Sequence, residues 1–154
     1  MTLRVSSPLW KRGETIPKKY TGDGADVSPP LDFQGVPPGT QSFVLICDDP
    51  DAPVGTWVHW VIYDIPGTAK GLPEGVVTDA SLPDGSRQGR NSWKKSGYGG
   101  PSPPPGKPHR YFFRLYALRE RLHVAPGLSA KEIEAAAQAK SIEVAEYMGT
   151  YGRT

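Results

Sequence analysis

The sequence predicts a mainly β protein, an antiparallel sheet or sandwich with two short C-terminal helices. Three observations carry this expectation. Residues 43–47, 56–63 and 110–118 are rich in β-branched and aromatic side chains and are bounded by Pro, Gly or Asp, as strands are. The 17 prolines and 18 glycines alternate with these apolar segments instead of forming a low-complexity tract, so they read as punctuation between strands. Helical patterning is confined to the C-terminal part, after Ser129.

Weaker strand candidates lie at 3–6, 15–17 and 75–78. Within 43–47, alternation puts Phe43, Leu45 and Cys47 on one face, so the lone cysteine is expected as a buried thiol with no internal disulfide. In the next strand Trp57, His59, Val61 and Tyr63 share a face, with Val58, Trp60 and Ile62 opposite. In the third, His109, Tyr111, Phe113 and Leu115 lie together. Arg114 falls on the other face with Arg110, Phe112 and Tyr116, which predicts a half-buried face or a guanidinium paired with a carboxylate. Ser129 with Glu132 three residues on is a capping box opening a first helix, EIEAAAQAK. A second helix is expected over SIEVAEYMGTY, with Ile142, Ala145, Tyr147 and Met148 as its apolar stripe. No repeat or linker divides residues 1–154, so one domain is expected.

The 18 basic residues against 16 acidic ones give a formal charge of +2 and are spread along the chain, so no nucleic-acid stripe stands out. The longest apolar runs fall far short of the ~20 residues of a membrane helix, and MTLRVSSPLWKRGE lacks a signal peptide's apolar stretch. A soluble, cytoplasmic protein is expected. Lys18-Lys19 and Lys94-Lys95 read as solvated pairs, and His123 as a surface turn residue.

Candidate chemistry gathers in two places. The stretch DDPDAPVGTWVHWVIY carries Asp48, Asp49 and Asp51, stiffened by Pro50 and Pro53, so it turns at a strand end and places carboxylates near the imidazole of His59. The stretch GYGGPSPPPGKPHRYFFRLYAL begins as a glycine and proline loop and ends as the strand bearing His109. Glycines at 97, 99, 100 and 106 permit close backbone approach and the inward N–H groups of an anion nest. Both places put a histidine and aromatics just after a loop, so the two loops are expected to close over one pocket.

These residues resemble the phosphatidylethanolamine-binding protein family, also called Raf kinase inhibitor-like, in its short prokaryotic form. The resemblance rests on Asp49-Pro50-Asp51-Ala52-Pro53 followed by Val58-His59-Trp60. It rests equally on Gly99-Gly100-Pro101-Ser102-Pro103-Pro104 followed by His109-Arg110-Tyr111, and on GADVSPPLDFQGVPPGTQSFVLICDDPDAP. It runs from about residue 20 to 118 and more loosely beyond, without the eukaryotic insertion between the aspartate turn and the histidine strand. The resemblance implies a β-sandwich whose small cavity accepts an anionic group, the phosphate of a lipid head group or of a phosphorylated side chain. It would be lined by Asp49, His59, Gly100, Pro101, His109 and Tyr111. It further implies recognition without catalysis or cofactor, a kinase- or protease-inhibitor-like regulatory role, a protein partner of unknown identity and a homodimer covering apolar surface near the pocket. The alternative is a metal-dependent hydrolase using His59, His109 and Asp49, although no HxH or HxxxH spacing supports it. A serine hydrolase lacks its GxSxG, and Ser28 sits in the proline-rich VSPP. The sharp reversal after Asp49 also suggests a cis Ala52-Pro53 bond.

Overall fold

The computed structural model describes residues 2–154. In chain order the strands and helix are β1 (Arg4–Ser6), β2 (Leu31–Gln34), β3 (Ser42–Asp49), β4 (Trp57–Pro66), β5 (Gly71–Leu72), β6 (Arg87–Gln88), β7 (His109–Leu118), α1 (Ala130–Lys140) and β8 (Ser141–Tyr151), with a single 3-10 turn at Lys18–Tyr20. All strand pairs are antiparallel, in a five-stranded sheet ordered β6-β4-β3-β7-β8 and a three-stranded sheet ordered β1-β2-β5.

The central strand explains the layering. All eight residues of β3 are buried, because SFVLIC is apolar on both faces. Phe43, Leu45 and Cys47 point into the core between the sheets, with Trp60, Ile62, Phe113 and Leu115 from their neighbours and Val5, Leu31, Phe33 and Leu72 from the small sheet. Val44 and Ile46 point the other way, joining Val61, Tyr63, Tyr116 and Leu118 beneath Ile133 and Ala137 of α1. The molecule is therefore a sandwich with a helix laid over its outer face. The capping box is formed as expected: Ser129 Oγ accepts from the Glu132 amide, and Glu132 Oε1 accepts from the Ser129 amide at 3.1 Å. No helix among the described residues is long and apolar enough to cross a membrane.

Four expectations are corrected. The segment SIEVAEYMGTY is a strand, not a second helix. The outer edge of β7 needs a partner, and β8 pairs with it from His109↔Tyr151 to Leu118↔Ser141, so tertiary pairing overrides a helix-like spacing. Of the weaker strand candidates, 15–17 provides only a bridge from Thr15 to Thr150, and 75–78 forms no strand. The short strands are instead β2, central in the small sheet, and β5 and β6, each at a sheet edge. The Ala52-Pro53 bond is trans, since the described residues contain no cis peptide; the chain reverses instead through Gly55 at φ 103°, whose amide donates to the Ala52 carbonyl. Strict alternation also fails in β4. Cys47 pairs with Trp60 and Asp48 with Val58, leaving His59 as the extra residue of a β-bulge. Val58 consequently packs in the outer cluster with Val61, while His59 meets Tyr111 of the inner core.

The β8 assignment has a direct test at Gly149. A Cβ there would lie 2.5 Å from both Ile16 Cγ1 and Trp10 Nε1. In a solvent-facing helix Gly→Ala would stabilise by roughly 0.5–1 kcal/mol. Packed as observed, Gly149→Ala should instead cost about 1–3 kcal/mol by overpacking, measured by urea denaturation.

Candidate functional site

Sheet order brings the predicted residues together. β3 ends at Asp49, while its antiparallel neighbours β4 and β7 begin beside it with Trp57 and His59, and with His109 and Tyr111. Three adjacent strand ends thus deliver four candidate side chains to one edge. They enclose a cavity of about 260 Å³, walled further by Ala52, Pro53 and Val54 of the aspartate turn, by Trp93, and by Ser102, Pro103 and Pro104 of the glycine and proline loop.

Asp49 is buried, and neither of its oxygens is free. Oδ2 accepts from His109 Nδ1 at 2.7 Å, and Oδ1 accepts from the Asp51 amide at 2.8 Å, an Asx turn that shapes the reversal. His59 is clasped from the other side. Its Nδ1 lies 2.6 Å from the Gly99 carbonyl oxygen, and the Gly99 amide donates back to the His59 carbonyl at 2.9 Å. A carbonyl only accepts, so Nδ1 carries the proton and Nε2 is the uncommitted atom. The same logic leaves Nε2 of His109 uncommitted. Neither Nε2 nor the Tyr111 hydroxyl has a hydrogen-bond partner among the described residues. The ring of His59 stands edge-on to Trp93 and Tyr111 at centroid distances of 5.1 and 5.2 Å, and Trp57 stands edge-on to Trp93 at 5.5 Å.

Burial pushes the His59 pKa below its ordinary value, against the opposing pull of the Gly99 carbonyl and of Asp49 and Asp48. The ring is neutral at pH 7, with Nε2 presenting a lone pair. Burial, reinforced by the charge of Asp49, raises the Tyr111 pKa far above its usual value, so its hydroxyl stays a donor. The other aspartates are turned elsewhere. Asp51 takes a two-point grip from Arg110, at 2.9 and 2.8 Å, and that bond is the main reason its pKa falls to about 2. Asp48 pairs with Arg114 across the outer face, meeting the expectation of a carboxylate partner.

Two predicted lining residues are placed differently. The Gly100 amide donates to Asp26 Oδ1 at 2.7 Å, and the Pro101 carbonyl accepts from the Gly22 amide at 2.8 Å, while the Gly100 backbone also lies against the His59 ring. Their places in the wall are taken by Ser102, Pro103 and Pro104. Gly100 is glycine because a Cβ would lie 2.5 Å from the Tyr20 carbonyl oxygen. The sequence held no signal for Trp93, which sits in the charged setting SWKK.

The His59 geometry predicts a pH dependence. Its folded pKa lies below the unfolded value near 6.5, so the unfolded state binds more protons in the acid window, and this histidine's share of stability is lost as pH falls through 6.5. His59→Gln should flatten the stability profile between pH 7 and 5, read by denaturant titration. A profile unchanged by the substitution contradicts a neutral buried imidazole.

The family model described as phosphatidylethanolamine-binding protein matches residues 6–152. A UPF0098 protein of Aquifex aeolicus is 48% identical over 153 residues, covering 98% of this chain and 89% of the relative. The crystal structure of a homolog of that family from Chlamydia trachomatis superposes with a TM-score of 0.89 at 36% identity, covering 99% of both chains. E. coli YBCL, described as a new member of the mammalian PEBP family, gives the same TM-score and identity over 100% of both chains. A carboxypeptidase Y inhibitor, solved with its cognate proteinase, shares the fold at 21% identity and a TM-score of 0.53, over 92% of this chain and 76% of that one.

Proposed function

The chain belongs to the phosphatidylethanolamine-binding protein family, and we propose that its cavity holds the phosphate of a small ester, a lipid head group or a phosphorylated side chain, by recognition without chemistry. One observation carries this reading. Asp49 has both oxygens committed, so the side-chain polar groups the cavity wall offers include two imidazole Nε2 atoms, the Tyr111 and Ser102 hydroxyls and the indole N–H groups of Trp57 and Trp93.

A phosphate meets this set through a proton. Neutral His59 offers a lone pair, which a singly protonated phosphate satisfies with its P–OH; a protonated ring would donate to the dianion instead. Either way one shared proton lies between Nε2 and oxygen. The second phosphate pKa is about 6, so affinity falls as pH rises past it. The Tyr111 hydroxyl donates at any of these pH values. The aromatic sides of Trp57 and Trp93 accept the organic part of the ester.

A metal hydrolase is the weaker reading. Among the described residues no group of three His, Cys, Asp or Glu side chains is placed to hold a metal, and Asp49 would have to release two donors to become a ligand. A regulatory role fits the same cavity, with a protein partner bound through a phosphorylated side chain. A carboxypeptidase Y inhibitor of the same fold, solved with its cognate proteinase, supports that class of role. A second copy of this chain is the partner proposed for the apolar mouth, where Val54 is 80% and Trp93 39% exposed.

Titration calorimetry with phosphorylethanolamine from pH 5.5 to 8.5 tests the reading. Wild-type affinity should decline as pH rises, and His109→Ala should lose ~2 kcal/mol, roughly thirtyfold. Unchanged affinity in His59→Ala and His109→Ala would place the ligand elsewhere. Metal-dependent turnover of a phosphate ester would favour the hydrolase, and a scattering mass of one chain would remove the dimer.

A further inference from the structure

The cavity's third wall has no internal scaffold. Residues 97–108 contain no helix or strand, and Pro101, Pro103, Pro104, Pro105 and Pro108 have no amide to donate. Every hydrogen bond of this loop runs to another segment. Gly99 reaches His59, Gly100 reaches Asp26, the Pro101 carbonyl meets Gly22 and the Tyr98 hydroxyl meets the Tyr20 carbonyl. Among the described residues, the half that includes Pro103 and Pro104 takes its hydrogen bonds from one residue, Arg153. Its Nη1 donates to the Pro103 carbonyl at 3.0 Å, and its own carbonyl accepts from the Gly106 amide at 3.0 Å.

Arg153 is itself aimed. Asp23 Oδ1 accepts from Nη2 at 2.6 Å and Oδ2 from Nε at 3.0 Å, while the Tyr151 hydroxyl donates to Asp23 Oδ2 at 2.7 Å. Asp23 belongs to the same stretch as Gly22 and Asp26, which grip the first half of the loop. It therefore joins the two clamps, one from each end of the chain. Neither Asp23 nor Arg153 lines the cavity.

We propose that Asp23 and Arg153 are positioning residues of the ligand site: their ion pair fixes the Pro103-Pro104 wall against the His59, His109 and Tyr111 side, and so sets affinity from outside the cavity. The pairing holds Asp23 at a pKa of about 2, so the clamp stays charged from pH 5.5 to 8.5. Its effect on affinity is therefore independent of pH, unlike that of His59. Arg153 also acts electrostatically on Tyr111, opposing the upward push of burial.

This inference rests on the phosphate reading for its affinity arm but has a second arm that does not need a ligand. Hydrogen exchange at the Gly106 amide, followed by NMR, and phosphorylethanolamine affinity across pH 5.5 to 8.5 are measured for wild type, Arg153→Ala, Arg153→Lys and the milder Asp23→Asn. Arg12→Ala, which removes an ion pair to Glu146 of β8, is the control. Arg153→Ala and Asp23→Asn should speed Gly106 exchange at least tenfold and weaken binding about tenfold by a factor constant across pH. Arg153→Lys keeps the charge opposite Asp23 but lacks the fork that also reaches Pro103, so it recovers part of both losses. Arg12→Ala should change neither. Unchanged exchange at Gly106 in Arg153→Ala and Asp23→Asn overturns the inference, as does faster exchange with wild-type affinity. Faster exchange in a protein whose wild type binds no phosphate supports the clamp and removes the phosphate reading instead.

Discussion

The buried carboxylate of Asp49 is the constraint on which the site depends. It stands 3% exposed at the end of the central strand, where an unpaired charge would cost several kcal/mol and would repel an anion. The His109 imidazole and the Asp51 amide satisfy its two oxygens. These two bonds tie the strand end, the reversing turn and the first residue of β7 into one unit. The carboxylate serves as an internal brace, and the ring it braces lines the cavity with its Nε2 free.

The same economy governs the rest of the acidic turn. Alternation along β3 sends Asp48 to the outer face, where Arg114 meets it, and Asp49 to the inner face. Asp51, past the strand, is gripped by Arg110 at the rim. Each of three clustered carboxylates has its own partner, so a stretch that looks hostile to a phosphate leaves no free carboxylate oxygen of Asp49 to oppose one. What remains toward the cavity includes the Nε2 lone pair of neutral His59, the free Nε2 of His109 and the hydroxyl donor of Tyr111.

The three core strands were legible because their apolar character is continuous or alternating, and Asp49, His59, His109 and Tyr111 because they stand at the ends of those strands after turn-forming residues. Cys47 was legible as a buried thiol for the same reason. What escaped depended on contacts distant in sequence. The face of His59 is decided by a bulge opposite β3, which no pattern within β4 announces. The strand character of β8 comes from β7, since Glu and Ala within SIEVAEYMGTY fit a helix equally well. The bonds that fix Gly100 and Pro101 run to Asp26 and Gly22, some 75 residues earlier in the chain. The clamp of Asp23 on Arg153 spans almost the whole sequence and has no local signature at all.

The most direct measurement of the central claim is a crystal structure of the protein grown with phosphorylethanolamine. The account places phosphate oxygens within about 3 Å of both imidazole Nε2 atoms and the Tyr111 hydroxyl, with Asp49 still bonded to His109 Nδ1. An anion seated instead on the basic rim of Lys107 and Arg110, with the His59 and His109 side unvisited, would contradict it.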